Sequence, residues 1–441
     1  VSALVVQTYL TGRWQDALRL VFDDPRQGPQ QGACTLSYLA AYLSDHLDDF
    51  GKPTAAAVSA NLPLSWEVER LSHWPAFLHD ILPAGAARRF LLPRLGLSAA
   101  EATQTDFRLL SRCTPAPIGH LRIRESLDER AQTPSVGFTR EQVVARDQGF
   151  LEYAYEQGAA LGGATGAGGD APKLLLTEDP QGLLHPDATL PDDLVCRHWL
   201  VKFPRNKASA TDQDILRSEH CYYQALNALG LETVSANGLA LEEGRRPSLW
   251  MPRFDRRTSP QGVERLAVES LYSLTHTLVP GSYLNHLDAI GALTRVWRAA
   301  DQDQGIPALL DDYLRRDLLN QLLGNSDNHG RNTAILRDER GVRLTPLYDL
   351  APMVMDEQGI TRTSKWPLPV EQAGVVDWHA ACRLLAEWDD PERLWDALKK
   401  SAEVLRALPD LLQPVLPQAT WEHPRIPLRR LDSHLREAGL L

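Results

Sequence analysis

The chain has no apolar run approaching the ~20 residues that a membrane-crossing helix needs, and its first residues lack a secretory pattern. No membrane association is therefore expected. Cysteines are few: Cys34, Cys113, Cys196, Cys221 and Cys382 are scattered, odd in number and free of C-x-x-C spacing, which predicts reduced thiols in a cytoplasmic protein. An excess of positive charge is also missing. The formal net charge of -11 argues against non-specific nucleic-acid binding by the whole surface and leaves only local basic patches open. What is present is 441 residues with 43% apolar content, enough for two or three packed units. The chain starts at Val1 rather than Met, which leaves room for an upstream segment.

The stretch around which these residues are organised runs from Asn320 to Leu336 and continues through Leu344 to Leu350. An apolar helix is predicted to end at Gly324, and a polar loop then places Asp327, His329 and Asn332 close together. The runs 333–336 and 342–345, joined by a turn, read as a hairpin that returns Asp349 to that loop. Phosphoryl transfer needs a carboxylate to take the nucleophile's proton and oxygen ligands to hold magnesium against phosphate; protein kinases supply these with the spacing D-x-x-x-x-N and a second Asp on a later strand. Asp327, Asn332 and Asp349 have that pattern. A polar surface loop holding Asp, Asn and His by chance is commoner when such a loop stands alone, but two flanking apolar elements and the second Asp weigh against it here.

The section up to residue 125 opens with a hairpin signal, Leu4 to Leu10 and Ala17 to Phe22 about a Thr-Gly-Arg turn, and includes a helical run from Gly85 to Leu92. It has no catalytic spacing and reads as a partner-binding or scaffolding subdomain. His73, His79 and Asp80 could be written as a metal cluster; a helix surface with satisfied polar groups is the expectation. After a charged, turn-rich stretch from Ser126 to Asp147 comes the glycine-rich run Gly162 to Lys173. Successive backbone N–H groups converge on phosphate where side chains are absent, yet Gly/Ala-rich runs are also common linkers. Lys173 opens the apolar run Leu174 to Leu176, so the loop feeds a strand, which favours phosphate binding.

Trp199 to Phe203 reads as a strand interrupted by Lys202, a residue type that in strands usually faces solvent. The helix that follows, with Thr211 as expected N-cap and Asp214 at its third position, carries an apolar stripe through Ile215, Tyr222, Leu226 and Leu229 and stops at Gly230. Glu219 sits on that stripe. A carboxylate turned into a core requires a cation, and Lys202 is the natural partner, as in the lysine–glutamate pair that orients ATP phosphates in kinases.

The set Pro172-Lys173, Val201-Lys202-Phe203, Arg253-Phe-Asp-Arg256, Gly324 to Asn332 and Tyr348-Asp349 resembles the HipA family of serine/threonine kinases, toxin halves of bacterial toxin–antitoxin pairs. The resemblance covers nearly the whole chain, including residues 58–123. It implies an α+β fold: a HipA-like N-terminal subdomain over residues 1–125, a kinase N-lobe over 126–256 with the Gly-rich loop, and a mostly helical C-lobe over 257–441 in which residues 378–388 and 393–408 are amphipathic helices. It implies ATP and Mg2+ as cofactors, with Asp327 as catalytic base, Asn332 and Asp349 as magnesium ligands, and Lys202, paired with Glu219, on the ATP phosphates. Gly168, Gly169, Asp170, Ala171, Pro172 and Lys173 would cover the triphosphate; Pro252, Arg253 and Phe254 would meet adenine; His329, Gly330, Arg331 and Tyr348 would line the same cleft. Implied partners are a protein substrate, such as an aminoacyl-tRNA synthetase, and a HipB-like DNA-binding antitoxin, through which alone nucleic acid enters.

One departure concerns the loop serine seven residues before the lysine, which the family autophosphorylates to switch itself off. Gly166 stands there, and Thr165 beside it is the candidate acceptor, the sole hydroxyl between Gly162 and Lys173. No physical account of Asp170 beyond capping or holding a lysine is evident. Two other classes remain open on sequence alone: a small-molecule phosphotransferase, and a pseudokinase acting as co-repressor with an antitoxin.

Overall fold

The structure is a computed structural model and describes residues 2–97, 104–127, 135–146, 171–187, 189–205, 207–259 and 262–441. Strands Ser2–Leu10 (β1) and Arg13–Phe22 (β2) pair antiparallel across Thr11-Gly12, both of which have positive φ (50° and 78°), the turn geometry that matches the natural twist of a hairpin. With Cys34–Tyr38 (β3), Glu69–Leu71 (β4) and Leu121–Ile123 (β5) they form a sheet of order β4-β3-β2-β1-β5. One face holds a separate apolar core containing Leu18, Leu20, Phe22, Trp74 and Leu110.

A second sheet, order β7-β6-β8-β10-β9, is built from Lys173–Glu178 (β6), Leu184–Pro186 (β7), Arg197–Lys202 (β8), Ala240–Glu242 (β9) and Ser248–Pro252 (β10). β6 is buried along nearly its whole length, as its continuous apolar run requires of a strand covered on both faces. The helix Ala210–Ala228 lays Ile215, Leu216, Tyr222 and Leu226 against Leu249 and Met251 of β10. Its N-cap is Ser209, in a reciprocal capping box with Asp212, not Thr211 with Asp214 as expected. Gly230, at φ 73°, lies just past its end as predicted.

The remaining strands are Arg256–Ser259 (β11), Gly262–Arg265 (β12), Ala267–Ser270 (β13), Leu284–Asn285 (β14), Ala334–Asp338 (β15), Gly341–Leu344 (β16) and Ser364–Lys365 (β17), with β13-β15-β16 as a three-stranded sheet. Helices His286–Ala299, Ile306–Leu322, Pro391–Leu405 and Leu431–Glu437 enclose the largest core. The expected helix over residues 378–388 is regular only over Trp378–Arg383.

The N-terminal sheet is stitched to the rest through buried polar groups. Glu269 of β13 accepts hydrogen bonds from Ser59 Oγ at 2.5 Å and Ala60 N at 2.7 Å, and lies 3.3 Å from the Arg337 guanidinium, which donates to the carbonyls of Thr54 and Ala57. Asp80 accepts from Ser270 N and Oγ at 2.9 and 2.7 Å. The expectation that His79 and Asp80 belong to a helix surface is thus corrected: His79 is buried and Asp80 is a cross-chain acceptor, because this short helix is an interface and not an outer face. Among the described residues no helix is long and apolar enough to cross a membrane.

Candidate active site

β8 ends at Lys202, whose ammonium is held 2.5 Å from Glu219 Oε2 on the long helix and 2.7 Å from Asp349 Oδ1. Glu219 is 1% exposed, and its other oxygen accepts from Tyr223 Oη at 2.9 Å, one turn further along the same helix face. Burial alone disfavours the Lys202 ammonium, but Asp349 and Glu219 outweigh it and raise its pKa. Lys173, the first residue of β6, reaches Asp349 Oδ2 at 3.2 Å; for it burial wins, with Lys202 close by, and its pKa falls. The same carboxylate is held well below the usual range by the two lysines, against its own desolvation.

Asp349 has a positive φ of 53°, a strained conformation for a residue with a side chain, of the kind that collects at functional sites. The helix Ile306–Leu322 stops at Gly324, φ 68°, where a Cβ would come within 2.8 Å of Ile426 and Val354. The loop after it brings Asp327 to the cavity that Lys173, Lys202, Glu219 and Asp349 line. Asp327 keeps 15% of its side-chain surface, enough to be reached, while desolvation raises its pKa.

Asn332 donates from Nδ2 to the Asp327 carbonyl at 2.7 Å, which closes the loop, and its Oδ1 is buried without a hydrogen-bond partner among the described residues. An orphaned amide oxygen and a carboxylate are donor types that a hard cation takes, so Asn332 and Asp349 fit Mg2+ by chemistry, although Asn332 is not among the walls of the cavities at Lys202. No group of three His, Cys, Asp or Glu able to hold a metal occurs among the described residues.

Other predicted residues are placed differently. His329 Nδ1 accepts from Arg331 N at 3.3 Å, which leaves Nε2, 3.8 Å from Asp327 Oδ1, to carry a proton; burial lowers its pKa against the pull of Asp327 and Asp349. Gly330 is required by packing, since a Cβ there would lie 2.2 Å from the Tyr272 ring. The Arg331 side chain is buried toward Asp80, and its carbonyl accepts from Tyr348 Oη at 2.5 Å. His329, Gly330 and Arg331 are therefore not among the walls of the two cavities at Lys202; they brace the loop from behind.

The second of those cavities is lined by Leu200, Val234, Met251, Pro252, Phe254, Val268 and Tyr348, an apolar slot beside the lysines. Arg253 borders the same slot, while its guanidinium is 1% exposed and paired with Asp187 and, at 2.7 Å, with Asp255. Ala171 borders the first cavity, Pro172 accepts from Phe203 N at 2.9 Å, and Gly168, Gly169, Asp170 and Thr165 lie outside the described residues. Sequence reasoning missed Arg205, 6% exposed and 3.9 Å from Asp327, although a second cation three residues after Lys202 and just past a Pro was a readable signal. It also missed Tyr223, legible as the residue one turn after Glu219.

The family model for the HipA-like C-terminal domain matches residues 165–407. More than half of the chain is covered, and the protein belongs to this family. It is 26% identical over 331 residues to the Sinorhizobium fredii protein named "Putative kinase Y4mE", covering 71% of this chain and 72% of that one. Its fold matches a chain of the Shewanella oneidensis MR-1 toxin–antitoxin complex of HipA, HipB and operator DNA, with TM-score 0.63, 18% identity and coverage of 99% and 96%. The Helicobacter pylori proinflammatory kinase CtkA aligns over 64% of this chain and 92% of its own at 13% identity and TM-score 0.36.

Proposed function

We propose that this protein is an ATP- and magnesium-dependent serine/threonine protein kinase of bilobal layout, the toxin of a toxin–antitoxin pair. The observation that carries the reading is the convergence of Asp327 and Asp349 on one cavity, beside a buried lysine already paired with a helix glutamate. Lys202 and Lys173 hold phosphate oxygens, and Glu219 with Tyr223 keeps Lys202 in place. Adenine takes the apolar slot at Met251 to Phe254. Asp327 accepts the proton of the incoming hydroxyl, whose oxygen then bonds the γ-phosphorus as ADP leaves. Mg2+, held by Asn332 and Asp349, would neutralise charge building between the β- and γ-phosphates.

The names of the relatives support a kinase reading and a HipB-like partner; a cytoplasmic location is proposed, and a translation component such as an aminoacyl-tRNA synthetase is the proposed substrate. Incubation with radiolabelled ATP, Mg2+ and a cell extract tests this: a labelled protein band that disappears with Asp327→Asn supports it, and equal labelling by both proteins rejects it. Thr165 is the proposed autophosphorylation site, since phosphate there would repel the nucleotide's own. Mass spectrometry showing an unmodified loop in active protein overturns that part.

A further inference from the structure

Bordering the Asp327 loop at Asn325 and Ser326 lies a much larger cavity, about 920 Å3, also walled by β17 and the C-terminal segment near Pro424 to Arg430. Its charge is opposite to that of the chain. Lys365, Arg425 and Arg430 line it, and none of the three has a carboxylate within 4 Å among the described residues. Most arginines of this acidic protein, by contrast, are ion-paired, as Arg217, Arg257, Arg393 and Arg406 illustrate. Glu371 is the one carboxylate in the lining, and it is already engaged by Trp366 N at 3.0 Å and by Arg362 at 3.5 Å.

Two polar groups in the same wall are also unmatched. Ser326 Oγ, in a residue 5% exposed, and Gln321 Nε2 are buried without hydrogen-bond partners among the described residues. Buried polar atoms are seldom left so, and their position is telling: Ser326 immediately precedes the proposed base. At the rim, Tyr283 and Leu368 are 58% and 77% exposed, giving an apolar edge beside the cations.

We infer that this cavity is the docking site for an acidic segment of the protein substrate, which places the flanking serine or threonine hydroxyl at Asp327. The inference rests on the kinase reading and names the class of sequence that kinase would select. Unpaired cations of one sign attract an acidic chain and repel a basic one, so discrimination comes from both terms. The volume lies within the range of sites that enclose a small ligand or a few side chains, and a peptide segment fills it where a duplex would not enter.

The test measures binding apart from transfer. Fluorescence anisotropy with the full chain compares three labelled serine peptides, flanked by Glu/Asp, by Lys/Arg or by uncharged residues, and a single-stranded oligonucleotide of matching charge. The acidic peptide is expected to bind at least tenfold more tightly than the basic one, to weaken with salt, and to lose that preference in the Lys365→Glu, Arg430→Glu double variant. Both side chains are at the surface or partly so, and an unchanged thermal unfolding curve verifies that the variant is folded. Equal binding of the acidic and basic peptides, or an unchanged preference in the double variant, overturns the inference; so does an oligonucleotide that outbinds the acidic peptide. Acidic-peptide binding with no transfer would remove the kinase reading and leave the docking site, whereas transfer without charge preference would do the reverse.

Discussion

Two clusters of buried charge border the second sheet, and they differ in how far their carboxylates can be reached. Around Arg253, four charges close on one another: its guanidinium pairs with Asp187 and Asp255, and Arg256 Nη1 donates to Asp255 Oδ2 at 2.7 Å and to the Gly119 carbonyl at 2.8 Å. Their side chains are 1–3% exposed. Around Lys202, two lysines share Asp349, and Asp327 and Asp349 keep 15% and 17% of their side-chain surface. Burial and charge are common to both. What separates a scaffold from a site is access: the first cluster is sealed at 1–3% exposure even though Arg256 Nε has no partner among the described residues, and the second faces a cavity with carboxylate oxygens within reach.

That contrast can be broken by substitution. The largest effect is expected for Asp327→Asn, which removes the base and lowers phosphate transfer by about 10²–10⁴-fold while nucleotide binding, followed with a fluorescent ATP analogue, stays near wild type. Transfer at wild-type rate would show that Asp327 is not the base. Asp187→Ala should act in the opposite sense. It leaves Arg253 and Arg256 short of a partner and lowers stability by about 3–5 kcal/mol in urea denaturation, with the chemical step intact in whatever remains folded.

Glu219→Gln is expected to be milder than Asp187→Ala, because glutamine keeps a side-chain oxygen for Lys202, which also retains Asp349, whereas Asp187→Ala leaves two arginines on the single carboxylate of Asp255. A stability loss of roughly 1–3 kcal/mol and a raised KM for ATP are predicted; a loss as large as that for Asp187→Ala would mean that Asp349 does not hold the lysine. Acidification should part the two clusters last and least. Asp187 and Asp255 are held below the usual carboxylate range by the arginines, against desolvation, so their stabilisation is complete above the unfolded pKa of ~3.9 and is lost only as pH falls through the lowered values. Burial raises Asp327, and a base works deprotonated, so kcat should decline on the acid side at a pH above the ordinary carboxylate value while circular dichroism shows the fold unchanged.

Local signals were strong wherever one residue type has few structural options. The hairpin of β1 and β2, the strand opening at Lys173, the stop at Gly230 and the hairpin of β15 and β16 could all be read from turn chemistry and apolar runs. The carboxylate on an apolar helical stripe correctly announced a buried lysine partner. What could not be read depends on contacts distant along the chain. Nothing local says that Asp80 meets Ser270, 190 positions away, or that the Arg253 guanidinium turns from the cavity toward Asp187. Gly330 illustrates the ambiguity: a glycine in a catalytic-type loop suggests ligand approach, yet here it admits an aromatic ring.

The seam at Glu269 has a consequence for anyone who would divide this chain into working parts. A cut near residue 125 follows the sequence but passes through a shared network: a fragment without the N-terminal sheet keeps Glu269 and Arg337 in its β-sheet and loses the Ser59, Ala60, Thr54 and Ala57 groups that satisfy them. Two ionised groups would then face water across what had been an interior, and the strand that carries Arg337 leads into the hairpin that delivers Asp349. A truncated gene product beginning after the first sheet is accordingly expected to be insoluble or inactive, and the smallest portable unit for expression or fusion is the chain from its first strand to its last helix.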